Sequence, residues 1–176
     1  YSIGGGDGNY GVYTNEFNST VKNCNIVDGN SSSPGYNRFG IFLNLNSNQE
    51  SEIINNKIYS KDHSIYLLES KGNLLENNTC ESSYSGIYLY SSSNNTLKNN
   101  FGKGLNSEGI NIYSNSLNNT LINNTGESLT HSGIYVASQS NQTNLINNLG
   151  SSNSSSGIHI YNSFYNNFTN NTAISN

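Results

Sequence analysis

Three Asp, eight Glu and a single Arg, Arg38, are the charged groups from which acid–base chemistry would have to be built. Cleavage of a polysaccharide needs carboxylates converging on one face, with an acid–base pair roughly 5–9.5 Å apart. Glu81, Lys103 and Glu127 fall at equivalent places in successive repeats of the chain. Their alternating sign predicts a surface salt-bridge ladder worth under about 1 kcal/mol per pair, with a catalytic role for Glu81 and Glu127 as the competing reading. His63, His131 and His159 fall in different columns of the repeat, Met is absent, and Cys24 and Cys80 lie in separate columns. No ligand set with the number and spacing of a metal site results. Gly4-Gly5-Gly6-Asp7-Gly8 is glycine-rich, but no helix follows that could hold a phosphate, so it reads as a flexible lead-in. The expectation is a non-enzymatic protein without catalytic residue, metal or cofactor.

Composition narrows the class. Hydrophobic residues make up 32% and charged residues 10% of 176 residues, a bias toward Asn and Ser that on its own suggests disorder. A net charge of only -4 and the periodic placement of the apolar residues argue for a fold instead. The charge gives no footprint for nucleic acid, and no apolar run approaches the roughly 18 residues of a membrane span. The chain starts at Tyr1 without Met, which predicts a processed, exported protein, acting outside the cell after loss of a signal peptide, or a fragment of one. Two cysteines are too few for a disulfide framework, and both read as buried thiols.

The elements that position these side chains repeat. An anchor pair recurs as Gly11-Val12, Gly40-Ile41, Ser64-Ile65, Gly86-Ile87, Gly109-Ile110, Gly133-Ile134 and Gly157-Ile158, in steps of 29, 24, 22, 23, 24 and 24 residues. A fixed period in this range marks a solenoid. The extra length of the first step falls in a turn-rich loop holding Asp28 and Pro34. After each anchor the residues alternate with period two, as on a strand. Val12, Ile41, Ile65, Ile87, Ile110, Ile134 and Ile158 share the inner face, and the residues between them and the next inner position point outward. The same residue type at the same phase in every unit suits parallel, in-register stacking. Units of 22–24 residues hold three short strands and three corners.

A second landmark, an apolar residue followed two places later by Asn, gives Asn23, Asn55, Asn77, Asn99, Asn123, Asn147 and Asn170. Asn tolerates the left-handed backbone of a sharp corner. Stacked about 4.8 Å apart, identical amides can bond from coil to coil, so these seven are predicted to form an inward structural ladder. The next position is Asn in six repeats and Cys24 in the first, while Cys80 takes a small inward place with Gly102, Gly126, Gly150 and Ala173.

The motif Ser-Gly-Ile-Tyr-Leu-Tyr-Ser-Ser-Ser-Asn-Asn-Thr-Leu-Lys-Asn-Asn at residues 85–100 resembles the repeats of NosD-like proteins carrying the carbohydrate-binding-and-sugar-hydrolysis (CASH) domain, exported proteins of archaea and bacteria. The resemblance covers about residues 9 to 174. It implies an all-β fold, a single-stranded right-handed parallel β-helix (β-solenoid) of about seven coils with three parallel sheets, over one domain spanning residues 1–176 with a lead-in at 1–10. The hand agrees with that of parallel crossovers in general. The copper association of such proteins is implied too, but the ligands for it are missing here.

The aromatic residues are the strongest functional signal. Tyr13, Phe42, Tyr66, Tyr88 and Tyr135 form one outward column, and Tyr90, Tyr113 and Tyr161 another. Exposed apolar patches mark interaction surfaces. The wall reads as a tyrosine ladder for strand stability, a contact with a neighbouring solenoid, or a platform for sugars. Ten Asn-x-Ser/Thr sequons occur. Asn94, Asn118 and Asn141 are predicted at outward corners and open to glycosylation, whereas Asn77, Asn123 and Asn170 would be turned inward. Solenoid ends expose strand edges and need caps, and none is read from the sequence. Head-to-tail stacking of copies into an extracellular layer, sheath or filament is the leading functional expectation. A carbohydrate-binding module or polysaccharide-active β-helix is the alternative.

Overall fold

A computed structural model describes residues 9–27, 38–44 and 50–176 of the chain. The glycine-rich lead-in with Asp7, the loop with Asp28 and Pro34, and the sequon at Asn30 lie outside the described residues. The architecture is all-β: three sheets, each of seven strands, wound so that successive strands of the chain belong to successive sheets. One unit shows the plan, with Ile87–Tyr90 in sheet I, Thr96–Lys98 in sheet II and Phe101–Gly104 in sheet III. Every pairing is parallel and in register, as in Ile87↔Ile65 and Ile87↔Ile110. The corner from sheet II to sheet III turns on one left-handed residue, Asn99 at φ 54° for example, and that from sheet I to sheet II, from the third coil onward, on two or three, such as Ser91 at φ 50° and Asn94 at φ 58°, whereas no described residue between sheets III and I is left-handed.

Alternation sends one row of each strand inward. Ile41, Ile65, Ile87 and Ile110 of sheet I, Leu67 and Leu89 beside them, and Ile53, Leu75 and Leu97 of sheet II are fully buried. Burial of each such side chain stabilises the fold by about 2 kcal/mol. Sheet III supplies little volume: Ile26 and Ile58 give way to Cys80, then Gly102, Gly126 and Gly150 in register. The glycines let sheet III close onto the anchors of sheet I. A Cβ on Gly126 would lie 2.3 Å from the carbonyl oxygen of Gly133, and one on Gly150 2.1 Å from that of Gly157. The corner is backbone against backbone, with no room for a methyl group.

The asparagine ladder is displaced by one residue from the sequence expectation. Asn23, Asn55, Asn77, Asn99, Asn123, Asn147 and Asn170 all take positive φ, as expected of corner residues, but all are exposed. The left-handed residue turns its side chain out of the bend, and the residue after it turns in. The buried ladder is therefore Asn56, Asn78, Asn100, Asn124 and Asn148, ending on the half-buried Asn171, linked Nδ2 to Oδ1 at 2.9–3.1 Å. Each ladder oxygen also accepts the backbone N–H of the preceding rung, Cys24 for Asn56 and an Asn for the rest, and each Nδ2 donates to a carbonyl of sheet II, as Asn100 does to Leu75 at 2.8 Å. The outer column makes only scattered amide pairs, Asn55 to Asn23 and Asn123 to Asn99. A second buried ladder at the other end of sheet II links Asn73 to Asn95 and Asn95 to Asn119. Thr143 interrupts it before Asn166.

The displacement exposes the sequon residues Asn77, Asn123 and Asn170, which the inward reading had closed off. Asn94 and Asn118 are exposed, left-handed corner residues. Asn141 is not: Gln142 takes the left-handed position in its coil, and Asn141 is half-buried with its Oδ1 accepting the Phe164 N–H at 2.7 Å.

Candidate functional site: the aromatic face and its polar break

Sheet I carries the aromatic column on its outer face in continuous register, Tyr13↔Phe42, Phe42↔Tyr66, Tyr66↔Tyr88, then Tyr88↔Asn111, Asn111↔Tyr135 and Tyr135↔His159. The rings pack face to face along the solenoid: Phe42 on Tyr66 with centroids 5.0 Å apart, Tyr66 on Tyr88 at 5.2 Å with 9° between planes. The wall is accordingly less open than outward placement alone implies. Phe42 is buried, Tyr66, Tyr88, Tyr90, Tyr113 and Tyr135 are half-buried, and Tyr13 and Tyr161 are exposed. Tyr90 pairs with Tyr113 as expected, their rings 6.1 Å apart. Tyr161 stands opposite Ala137 instead of another ring.

A second column, missed in the sequence, shields the first. It consists of the residues just before each anchor: Tyr10, Phe39, His63, Ser85, Glu108, Ser132 and Ser156. Phe39 packs at a tilt against Phe42 and Tyr66, and His63 lies on Phe39 with 7° between planes and 4.7 Å from Tyr88. The signal was present, since this position is the anchor minus one in every repeat, but its residue types change along the chain and no single type flags it.

His63 Nδ1 accepts the Ser85 N–H at 3.2 Å, while Nε2 lies 3.4 Å from the Asp62 carboxylate. Burial holds the imidazole below its ordinary pKa, outweighing the opposing pull of Asp62 and Glu108. Burial pushes the Tyr66 phenol up to about 12 and drives Tyr88 upward as well, with Glu108 and neighbouring tyrosines adding to the Tyr88 shift. At neutral pH the face thus consists of neutral rings and protonated phenols.

The column before the anchors is polar from Ser85 onward, and in the coil of Glu108 the ring column is polar too, at Asn111. Glu108 Oε2 accepts from Ser107 Oγ at 2.5 Å, Asn111 Nδ2 at 2.9 Å and Ser85 Oγ at 3.5 Å. Asn111 is buried, and its Oδ1 has no hydrogen-bond partner among the described residues. Tyr88 and Tyr135 flank the break on either side.

The remaining sequence candidates lie elsewhere. Glu81, Lys103 and Glu127 do occupy one column, with Lys103 Nζ 3.9 Å from Glu81. Lys98 and Glu76, on sheet II, make a closer pair at 2.8 Å. His131 is exposed and bonds Thr130, whereas His159 packs 5.2 Å from the Tyr135 ring. Among the described residues no three His, Cys, Asp or Glu side chains come together as a metal site. Cys80 is buried and its thiol pushed up in pKa, but Cys24 is only half-buried, against the expectation that both are interior.

The described residues at the two ends of the solenoid carry exposed apolar side chains. Phe17, Val27 and Tyr13 stand on the first coil, and Phe164, Tyr165, Phe168 and Ile174 on the last. Tyr165 adopts φ 59°, a conformation costly for an aromatic residue.

Neither a curated protein nor a solved structure matches the chain. The family described as right-handed β-helix region matches residues 39–176. That span takes in six of the seven strands of each sheet, and with it the whole run of aromatic stacking from Phe39 to His159. The chain belongs to the right-handed β-helix family.

Proposed function

We propose that the protein is a non-enzymatic structural β-solenoid that stacks end to end with copies of itself in an extracellular layer, sheath or filament. One observation carries this: the exposed apolar residues of the two ends occupy the same columns. Phe17 and Phe164 each precede the left-handed residue of the corner between sheets I and II, Asn18 and Tyr165. Val27 and Ile174 share an outer column of sheet III, and Val21 and Phe168 share the inner column of sheet II. A second copy continuing the winding would set Phe17 over Phe164, Val27 over Ile174 and Tyr13 over His159. The strand edges of the first and last described coils would pair in the same step. The contact is heterologous, so it propagates into filaments or closes into rings.

The sugar-platform alternative needs open ring faces. Tyr66 has both faces stacked, on Phe42 and on Tyr88, and each of those two gives one face to it, which narrows the ring surface open to a sugar. Sedimentation over a rising concentration series, with electron microscopy of the heaviest fraction, tests the stacking. Concentration-dependent growth into rods is expected, with a Phe164→Asp variant held as monomer. A wild-type chain that stays monomeric at high concentration overturns the proposal, and a specific hit on a glycan array would favour the alternative.

A further inference from the structure

The inner ladders of the solenoid have a direction. At the corner from sheet II to sheet III the backbone N–H of each rung donates to the side-chain oxygen of the next, from Cys24 to Asn56 at 2.9 Å through to Asn148 and Asn171 at 2.8 Å. At the entry to sheet II the same sense runs from Ser19 to Ser51 at 3.0 Å and from Thr143 to Asn166 at 2.8 Å. Among the described residues, the last coil therefore carries donors with no rung beyond them: the backbone N–H groups of Asn166 and Asn171, and the Asn166 Nδ2, which is buried without a partner. The first described coil carries acceptors at the same columns. Cys24 Sγ donates to the Lys22 carbonyl at 3.3 Å and keeps its lone pairs. Ser19 Oγ lies 2.9 Å from Thr14 Oγ1 and donates to Glu16 O at 3.2 Å, which leaves it a lone pair to spare.

The core is hollow at the same place. Ile158, Ile160, Phe168, Asn171 and Ala173 line an open depression of about 460 Å³. One coil earlier the matching residues Ile134, Val136 and Leu145 are fully buried. On the first coil Val12, Val21 and Cys24 are half-buried at the inner positions that would close this depression. Ile26 belongs to the column of Ala173, so the bulkiest inner side chain of sheet III would come down over a small one.

We propose that the ladders run on through the joint between two copies, Asn171 donating to Cys24 Sγ and Asn166 to Ser19 Oγ of the next copy, so that Cys24 is the rung at which assembly is controlled. The joint presupposes the end-to-end stacking proposed above and adds its polarity and its weak point. Two last coils would set donor against donor, so copies join only last coil to first. A thiol sulfur is a weaker acceptor than the amide oxygen that fills this place in the other six coils, which leaves the joint looser than the coils it links. A group attached to Cys24 Sγ stands in the path of the Asn171 N–H and closes that end to another copy.

The test is sedimentation over a concentration series of the full chain, untreated and after native-state alkylation with N-ethylmaleimide, beside Cys24→Asn. Cys80 is buried, so mass spectrometry should find a single adduct, at Cys24. The alkylated chain should stay monomeric. Mixed into untreated chain at less than equimolar amount it should shorten the rods, because it offers only its last coil. Cys24→Asn supplies the amide acceptor for two further N–H donors and should assemble at about tenfold lower concentration. That variant carries the residue of the other coils and keeps the proposal falsifiable if the adduct disturbs the first coil. Rod growth unchanged by alkylation, dimers of the alkylated chain, or a Cys24→Asn chain that assembles no better overturns the ladder joint. Where the untreated chain still assembles, end-to-end stacking survives that result; where no form assembles at any concentration, both readings fall.

Discussion

Asn100→Ala is the sharpest test of how the interior is held together. The Asn100 side chain accepts the backbone N–H and the Nδ2 of Asn78, at 3.0 and 2.9 Å, and donates to Leu75 O and Asn124 Oδ1, at 2.8 and 3.0 Å. Truncation strands the Asn78 N–H, one Asn78 amide hydrogen and the Leu75 carbonyl in a buried corner. Asn124 Oδ1 keeps the Asn100 backbone N–H at 2.9 Å. Three orphaned groups at about 1–3 kcal/mol each, with some relaxation allowed, predict a loss of roughly 3–6 kcal/mol. The neighbouring Asn99 is exposed and makes its contribution through φ 54°. Asn99→Ala should cost only the left-handed penalty of about 1–2 kcal/mol, and Asn99→Gly almost nothing. Urea unfolding of the three variants, followed by circular dichroism, reads the order directly. If Asn99→Ala destabilises more than Asn100→Ala, the ladder assignment is wrong. If Asn100→Ala costs less than about 1 kcal/mol, water replaces the amide and the ladder is not what holds the corner.

Other consequences are open to measurement. Gly126→Ala puts a Cβ 2.3 Å from the Gly133 carbonyl oxygen, and because both partners are backbone the variant should fail to fold or lose more than about 3 kcal/mol by thermal melting. Burial lowers the His63 pKa below 6.5, so protonation favours the unfolded chain; stability is complete above the unfolded pKa and falls as pH drops through the folded one. The melting temperature should therefore decline as pH falls below 6.5, and a His63→Phe chain should lose this component while keeping the stack on Phe39. Cys80 is buried with a raised pKa and Cys24 half-buried, so a thiol reagent should modify Cys24 first and reach Cys80 only on unfolding; equal rates would contradict the packing of sheet III.

What the sequence shows clearly and what it conceals divide along a physical line. Inward rows of Ile and Leu are legible because burial selects a narrow set of side chains and the strand period places them on one face. The ladder is misplaced by one because two unlike demands, a left-handed corner and a buried amide, select the same residue at adjacent positions. Only Cys24 separates them in advance: a small, weakly polar thiol can stand in for an inward amide, whereas nothing about a left-handed corner calls for one. Asn141 misleads for the related reason that its coil shifts the corner onto Gln142. The column before the anchors was illegible because it runs from rings through His63 and Ser85 to Glu108 with no common type. That variability is itself informative. Columns serving the fold repeat one residue, since each rung faces the same neighbours above and below. A column whose residue type drifts, as this one does from rings through His63 and Ser85 to Glu108, is set by what each rung meets beside it. Asn111 shows the same dependence: it alone interrupts the rings between Tyr88 and Tyr135, and its amide bonds the Glu108 carboxylate in the adjacent column, so the break in the stack is tied to the one carboxylate beside it.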